Sequence, residues 1–257
     1  MRPDRRRWLM GAGGALGALW LAGCDRLTAN PAFSGMLKVA ERWTRGAQRL
    51  VTDRNALARE FAAADMSPDF KANGTLRPQD EAYATLLAEN FAGYRLTVDG
   101  LVEQPLSLTL ADLRAAPSRT QITRHDCVEG WSSIGKWKGA RLSALLDRAK
   151  LKPEARYIVF HCADTLDPSA ADGAGQYYES IDLIDAYHPQ TILAYDMNDR
   201  VLPVRHGAPL RLRVERQLGY KHAKYVMHIE AVASLDGIGR GQGGFWPDRG
   251  YEWYAGI

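Results

Sequence analysis

The sequence predicts a mixed α+β domain, a single domain carrying a helical N-terminal extension. Three observations predict it. Over residues 37–65 the apolar side chains recur at helical spacing. From residue 95 onward, short β-branched and aromatic runs alternate with short helical stretches and turns. The last stretch, 237–257, is dense in glycine and aromatics, too rich in Trp and Tyr for a solvated tail, and is expected to fold back onto the domain.

Residues 1–23 read as a targeting segment. Arg5, Arg6 and Arg7 precede a Gly/Ala/Leu-rich run over 8–22 that is too short and too glycine-rich for a comfortable membrane span. It closes on Leu21-Ala22-Gly23-Cys24, a lipoprotein pattern in which small residues fit a peptidase cleft and Cys24 supplies the thiol that is acylated. Left uncleaved, the same segment still anchors the chain at a membrane. Its four arginines against Asp4 hold the whole formal charge of +3, so the chain from Cys24 onward is neutral. Nothing global points to nucleic acid or a polybasic surface.

Residues 24–84 read as linker and helical extension. A polar linker over 25–35 holds Pro31 and Gly35. Leu37, Ala40, Trp43, Ala47, Leu50, Leu57 and Phe61 then predict one long helix, or two, packing a stripe against the body. A loop with Pro68, Gly74 and Pro78 leads to a short helix near 83–90. In the domain, 85–257, strands are expected at 95–98, 122–125, 157–161, 191–195, 210–214 and 226–229. Leu142, Leu145, Leu146 and Ala149 mark a helix that Pro153 ends. Asp182 caps another running to Tyr187, stopped by His188-Pro189. Met197-Asn198-Asp199-Arg200 reads as a hairpin turn.

Two stretches carry candidate chemistry. Cys127 directly follows a strand in Arg124-His125-Asp126-Cys127-Val128-Glu129-Gly130-Trp131-Ser132. Arg124 and His125 are placed to lower its pKa and favour the thiolate that binds soft metals. A buried structural cysteine and a Cys127–Cys162 disulfide are the competing readings, since three cysteines exist and acylation of Cys24 leaves two. The second stretch is 202–224, where six Lys/Arg and two His face one acid, Glu215. Arg211 and Arg213 share a strand face, and Arg211 follows a Gly-Ala-Pro loop between Leu210 and Leu212. Guanidinium forks there suit a phosphorylated small molecule. Cys162, in Phe160-His161-Cys162-Ala163-Asp164, lies just past a strand, and His161 reads as a satisfied core histidine. No zinc spacing, nucleophile elbow, phosphate-binding loop or dinucleotide fingerprint occurs.

Taken in order, Cys-Val-Glu-Gly-Trp-Ser from Cys127, Trp137-Lys-Gly-Ala-Arg-Leu142, Leu193-Ala-Tyr-Asp-Met-Asn198 with Leu202-Pro203, His206-Gly-Ala-Pro-Leu-Arg211 and Gly219-Tyr-Lys221 resemble the sulfite oxidase-type molybdopterin-binding family over roughly 85–257. The likeness is nearer to its small bacterial periplasmic branch, with the methionine-sulfoxide reductase catalytic subunit, than to sulfite oxidase proper. It implies a sulfite oxidase-type fold and a molybdenum–molybdopterin cofactor. By resemblance, Cys127 ligates molybdenum, and Asn90, Cys162, His206, Arg211, Lys221 and Lys224 contact the pterin or its phosphate. Tyr251, five residues after Trp246, stands near the metal. Arg6-Arg7-Trp8-Leu9 resembles a twin-arginine export signal, and Asp25 an inner-membrane retention signal. The implied protein is a monomeric, lipid-anchored periplasmic enzyme performing two-electron oxo-transfer on a small S- or N-oxide or sulfur oxyanion. It would exchange electrons with a membrane or soluble cytochrome and bind no nucleic acid. On the residues alone a non-catalytic lipoprotein stays open, with a Cys127–Cys162 disulfide and a basic strand that binds an anion or partner.

Overall fold

The computed structural model describes residues 31–257, without the side chains of 31–38, 41, 42 and 172. The signal segment and Cys24 lie outside the described residues. The chain divides after Thr52 into two compact units.

The described part of the first unit is one helix, α1 (Pro31–Val51). Two expectations change here. The linker expected over 25–35 gives way to helix from Pro31, whose missing N–H is harmless in a first turn. The helix expected to reach Asp65 stops at Val51. Beyond it the Asp53 side chain accepts from Asn55 N at 2.7 Å, and Ala56 N bonds back to Asp53 O, an Asx turn that diverts the backbone. The following residues run extended, with Glu60 bridging Thr123.

The second unit, Asp53–Ile257, holds two five-stranded sheets. After α2 (Glu81–Ala88), capped by Asp80, the chain forms β1 (Leu96–Gly100), β2 (Leu106–Leu108) and α3 (Leu110–Ala115). Next come β3 (Ser118–Asp126), β4 (Ser132–Arg141) and α4 (Leu142–Ala149). Then follow β5 (Tyr157–Thr165), β6 (Gln176–Asp182) and α5 (Leu183–Ala186), the last capped by Asp182. β7 (Ile192–Met197), β8 (Arg200–Val201), β9 (Arg211–Arg213) and β10 (Val226–Val232) complete it. One sheet has the order β2-β1-β10-β5-β6; the other runs β3-β4-β7-β8, with β9 also on β7. Only the β1–β10 pair is parallel among these. Asn198 and Asp199 both take positive φ, as a tight two-residue hairpin turn requires.

The core fills with Leu96, Val98, Leu142, Leu146, Ile158, Phe160, Ile181, Leu210, Leu212 and Ile229. A smaller cluster around Phe70, Trp137, Ile192 and Met197 lies on the second sheet. The compact body thus begins at Asp53, and Phe70 is built into its core. The C-terminal stretch folds back as expected: Gly244 bridges Glu179, Gly256 bridges Gln217, and Trp253 Nε1 donates to Ser180 Oγ at 2.8 Å.

Candidate active site

β3 delivers Cys127 to the mouth of a cleft. Its register with β4 runs unbroken to Asp126–Ser132, and the connection is a tight loop. Cys127 N donates to Trp131 O at 2.9 Å and Gly130 N to Cys127 O at 3.0 Å, with Gly130 at φ +85°. Glycine alone takes that backbone without strain. The cleft, about 150 Å³, is lined by Cys127 and Glu129 from this loop, Asn73 and Thr75 from the segment before α2, and Asp164 near the end of β5. Tyr177, His222, Lys224, Trp246 and Tyr251 close it.

Burial pushes the Cys127 thiol up, opposed by a hydrogen bond from the Glu129 backbone. The expected activation by Arg124 and His125 is not seen. Arg124 is engaged by Asp126 at 2.8 Å. His125 is buried and held neutral, well below 6.5, by desolvation and by Arg211; its Nδ1 faces Arg213 Nη1 at 3.1 Å. Asn73 Nδ2 instead donates to Cys127 Sγ at 3.8 Å. Cys127 and Cys162 are both free, so the disulfide of the alternative reading is absent.

Arg211 is fully buried beside the cleft. Nη1 donates to His206 O at 3.1 Å, Nε has no partner, and the guanidinium lies 5.3 Å over the Trp137 ring. Burial and Arg213 lower its pKa to about 9. Arg213 differs: it holds Glu215 in a buried ion pair, Nη2 to Oε2 at 2.6 Å. His206 is buried against Phe70 with Nδ1 unpartnered, and burial and Arg211 push it down to about 4. Asp164 Oδ1 and His222 Nδ1, both in residues lining the cleft, also lack partners. Burial raises the Asp164 carboxyl, against the pull of Lys224.

The remaining expected residues fare differently. Lys224 lines the cleft, but its ammonium is clasped by three carbonyls, Asn73 O at 2.7 Å, Arg205 O at 3.3 Å and Thr75 O. It pins the loop that carries Asn73 to the thiol. Tyr251 lines the cleft, packed on Trp246 at 5.1 Å and Tyr220 at 5.4 Å. Lys221 does not reach it. Its ammonium is spent on Glu179 in a fully buried pair. Cys162 sits in the core with Sγ 3.8 Å from Phe160 O, because the inward side of β5 is apolar there. Asn90 is exposed past α2 at φ 50°, where asparagine tolerates the left-handed region that ends a helix. His161 is half-buried rather than core, against Glu230 at 3.0 Å. Asn73, Asp164, Tyr177 and His222 went unread in the sequence. Asp164, just past the strand expected at 157–161, carried the one positional signal.

The model of the oxidoreductase molybdopterin-binding domain matches residues 84–236, more than half the chain. The chain belongs to the molybdopterin-binding oxidoreductase family. It is therefore an oxidoreductase with a molybdopterin cofactor. A protein of Azospira oryzae named as a protein-methionine-sulfoxide reductase subunit is 34% identical over 99% of this chain and 88% of its own length. Protein-methionine-sulfoxide reductase catalytic subunits of Campylobacter jejuni and Ralstonia nicotianae are each 33% identical, over 59% and 65% of this chain. The chain spans about half of those two, 54% and 48%. The sulfane dehydrogenase SoxCD structure from Paracoccus pantotrophus superposes with TM-score 0.47 and 25% identity over 55% of this chain and 38% of that one. The molybdopterin-binding match takes in Cys127, Asp164, Arg211 and Lys224. Asn73, Trp246 and Tyr251 fall outside it.

The side chains fit such a cofactor. A thiol opens on the cleft as a soft ligand, and behind the cleft residues Tyr177 and Lys224 lies the buried Arg211 guanidinium, its Nε and the His206 Nδ1 without partners. Molybdopterin ends in a phosphate, the charge Arg211 lacks.

Proposed function

We propose that this oxidoreductase works in the bacterial periplasm, held at the inner membrane by acylated Cys24, and reduces a small S-oxide by two-electron oxo-transfer. The one observation that carries it is Cys127 opening on a cleft, with Arg211 buried behind the cleft residues Tyr177 and Lys224, its Nε unpartnered and Glu215 already bound by Arg213. The names of the relatives support sulfoxide as substrate. In the net reaction a sulfoxide takes two electrons and two protons and leaves as thioether and water. Bound molybdenum–molybdopterin supplies the metal that accepts the oxygen and carries the electrons.

Everything else falls to this chain's residues. Cys127 is the metal's thiolate ligand. Arg211 and His206 hold the anionic end of the pterin, which fixes the metal against the mouth. Lys224 positions the Asn73 loop, so that Asn73 Nδ2 steadies the sulfur. Asp164 holds a proton in the cleft more tightly than a solvated carboxylate would, because burial disfavours its anion. Trp246 and Tyr251 shape the entrance. Electrons arrive from a cytochrome.

The test is molybdenum X-ray absorption on the loaded protein, with sulfoxide reduction followed by a reduced dye. Protein thiolate scattering lost in Cys127→Ser, with activity lost and the fold kept, is expected. An active Cys127→Ser protein would end the reading.

A further inference from the structure

Helix α1 has no role in the reading so far, yet its two faces are sharply unlike. Lys38, Arg42, Arg45 and Arg49 follow one another at spacings of four, three and four, which at 3.6 residues per turn places them in one narrow sector. Glu41 is the helix's sole acid. On the opposite side the same arithmetic groups positions Met36, Val39, Ala40, Trp43, Ala47 and Leu50. On this apolar side Trp43 is 76% exposed, Leu50 87% and the adjoining Val51 82%.

The helix cannot span a bilayer. Among the described residues no helix is long and apolar enough to cross one. Lys/Arg on one side and Trp, Leu and Val on the other describe a helix lying in the plane of the membrane interface. Its place in the chain agrees. Six residues separate Cys24 from Pro31, a reach of roughly 20 Å when extended. If Cys24 is acylated, as proposed above, α1 begins at the lipid surface. A basic amphipathic helix beside a lipidated cysteine adds a second, charge-dependent contact with the same surface.

We infer that α1 binds the surface of an anionic phospholipid bilayer, with the Trp43 stripe at headgroup depth and the Lys38–Arg49 sector drawing it to lipid phosphates.

The experiment uses the cofactor-loaded chain from residue 24 onward with Cys24→Ser, so that no acyl chain contributes. It is sedimented with vesicles of phosphatidylglycerol and phosphatidylethanolamine, and separately with phosphatidylcholine alone. Binding to the anionic vesicles, at least tenfold stronger than to phosphatidylcholine and weakened by salt, is expected. Replacing Arg45 and Arg49 by glutamine should weaken it about fivefold for each charge removed. Trp43→Ala should weaken it on every vesicle while leaving the thermal midpoint of the body unchanged. Absence of binding to anionic vesicles overturns the inference. So does a Trp43→Ala protein that binds normally, or one whose body melts earlier, since the stripe is then covered by the chain itself. Capture by a membrane protein in lipid nanodiscs with no binding to lipid alone overturns it too. Acylation is scored separately by fatty-acid labelling of Cys24 in cells, so failure of the anchor and failure of the helix are read apart.

Discussion

Arg211 should be a liability to the protein without its cofactor and indispensable to the protein with it. The guanidinium is fully buried, one nitrogen donates to His206 O at 3.1 Å, Nε has no partner, and burial with Arg213 lowers its pKa from 12.5 to about 9. A depression of that size corresponds to roughly 4–5 kcal/mol against the charged form. Arg211→Met keeps an unbranched side chain and removes the charge. It gives up one hydrogen bond, about 1 kcal/mol, and the contact over Trp137, about 1 kcal/mol. The balance favours the variant by about 2–3 kcal/mol when both proteins are made in a host that lacks the pterin. For a body of this size that raises the midpoint by roughly 5–10 °C. From a cofactor-competent host the order reverses: the variant should carry little molybdenum and melt below the parent. Differential scanning calorimetry on both preparations, with metal analysis, reads the two signs. An Arg211→Met protein that melts below the parent without cofactor, or that retains full molybdenum, refutes the reasoning.

Three further outcomes are expected. Lys221→Met strands Glu179 as a buried carboxylate and should cost about 3–5 kcal/mol, whereas Lys221→Met with Glu179→Leu should recover most of the loss; denaturant midpoints of the four proteins close the cycle, and a double variant as unstable as the single one counts against the pair. Gly139→Ala sets a Cβ 2.2 Å from Leu193 O, where backbone must move, and should cost about 1–3 kcal/mol by urea melting, against no change if β4 and β7 can part freely. Asp164→Asn tests pH. Burial raises the folded Asp164 pKa above 3.8, so the folded state binds the proton more tightly, and stability conferred by that proton is lost as pH rises from about 4 through the folded value. The Asn variant should show a flatter profile of urea midpoints between about pH 4 and 7; an unchanged slope assigns the titration elsewhere.

Much of the fold was legible because its outer elements follow simple periodicity. The strand before Cys127, the α4 stripe and the Asn198-Asp199 turn all stand where the pattern places them. β4 was missed for a physical reason. Its buried positions are Ser133, Gly135, Trp137, Gly139 and Ala140, and two of these are glycines because something presses on them. A Cβ at Gly135 would meet the Phe70 ring at 3.0 Å, and one at Gly139 the Leu193 backbone. The inward side therefore carries no hydrophobic run. β6 hid behind Glu179 and Ser180, polar residues buried because Lys221 and the C-terminal stretch satisfy them. In the site, Cys127, Arg211 and Tyr251 could be named because each sits in a distinctive local string. Lys221 looked equivalent to Lys224 three residues away, and only the tertiary partner of each separates them. Asn73 could not be read at all, since a loop brings it to a sulfur 54 positions further along the chain.

The cleft also has a lopsided ancestry in the chain. Its centre comes from the stretch that the family model matches, but other walls do not: Asn73 and Thr75 lie ahead of residue 84, while Trp246 and Tyr251 lie after residue 236. A fragment trimmed to the matched borders would keep Cys127 and shed two of the walls of its cleft, together with Asn73, the amide that donates to its sulfur.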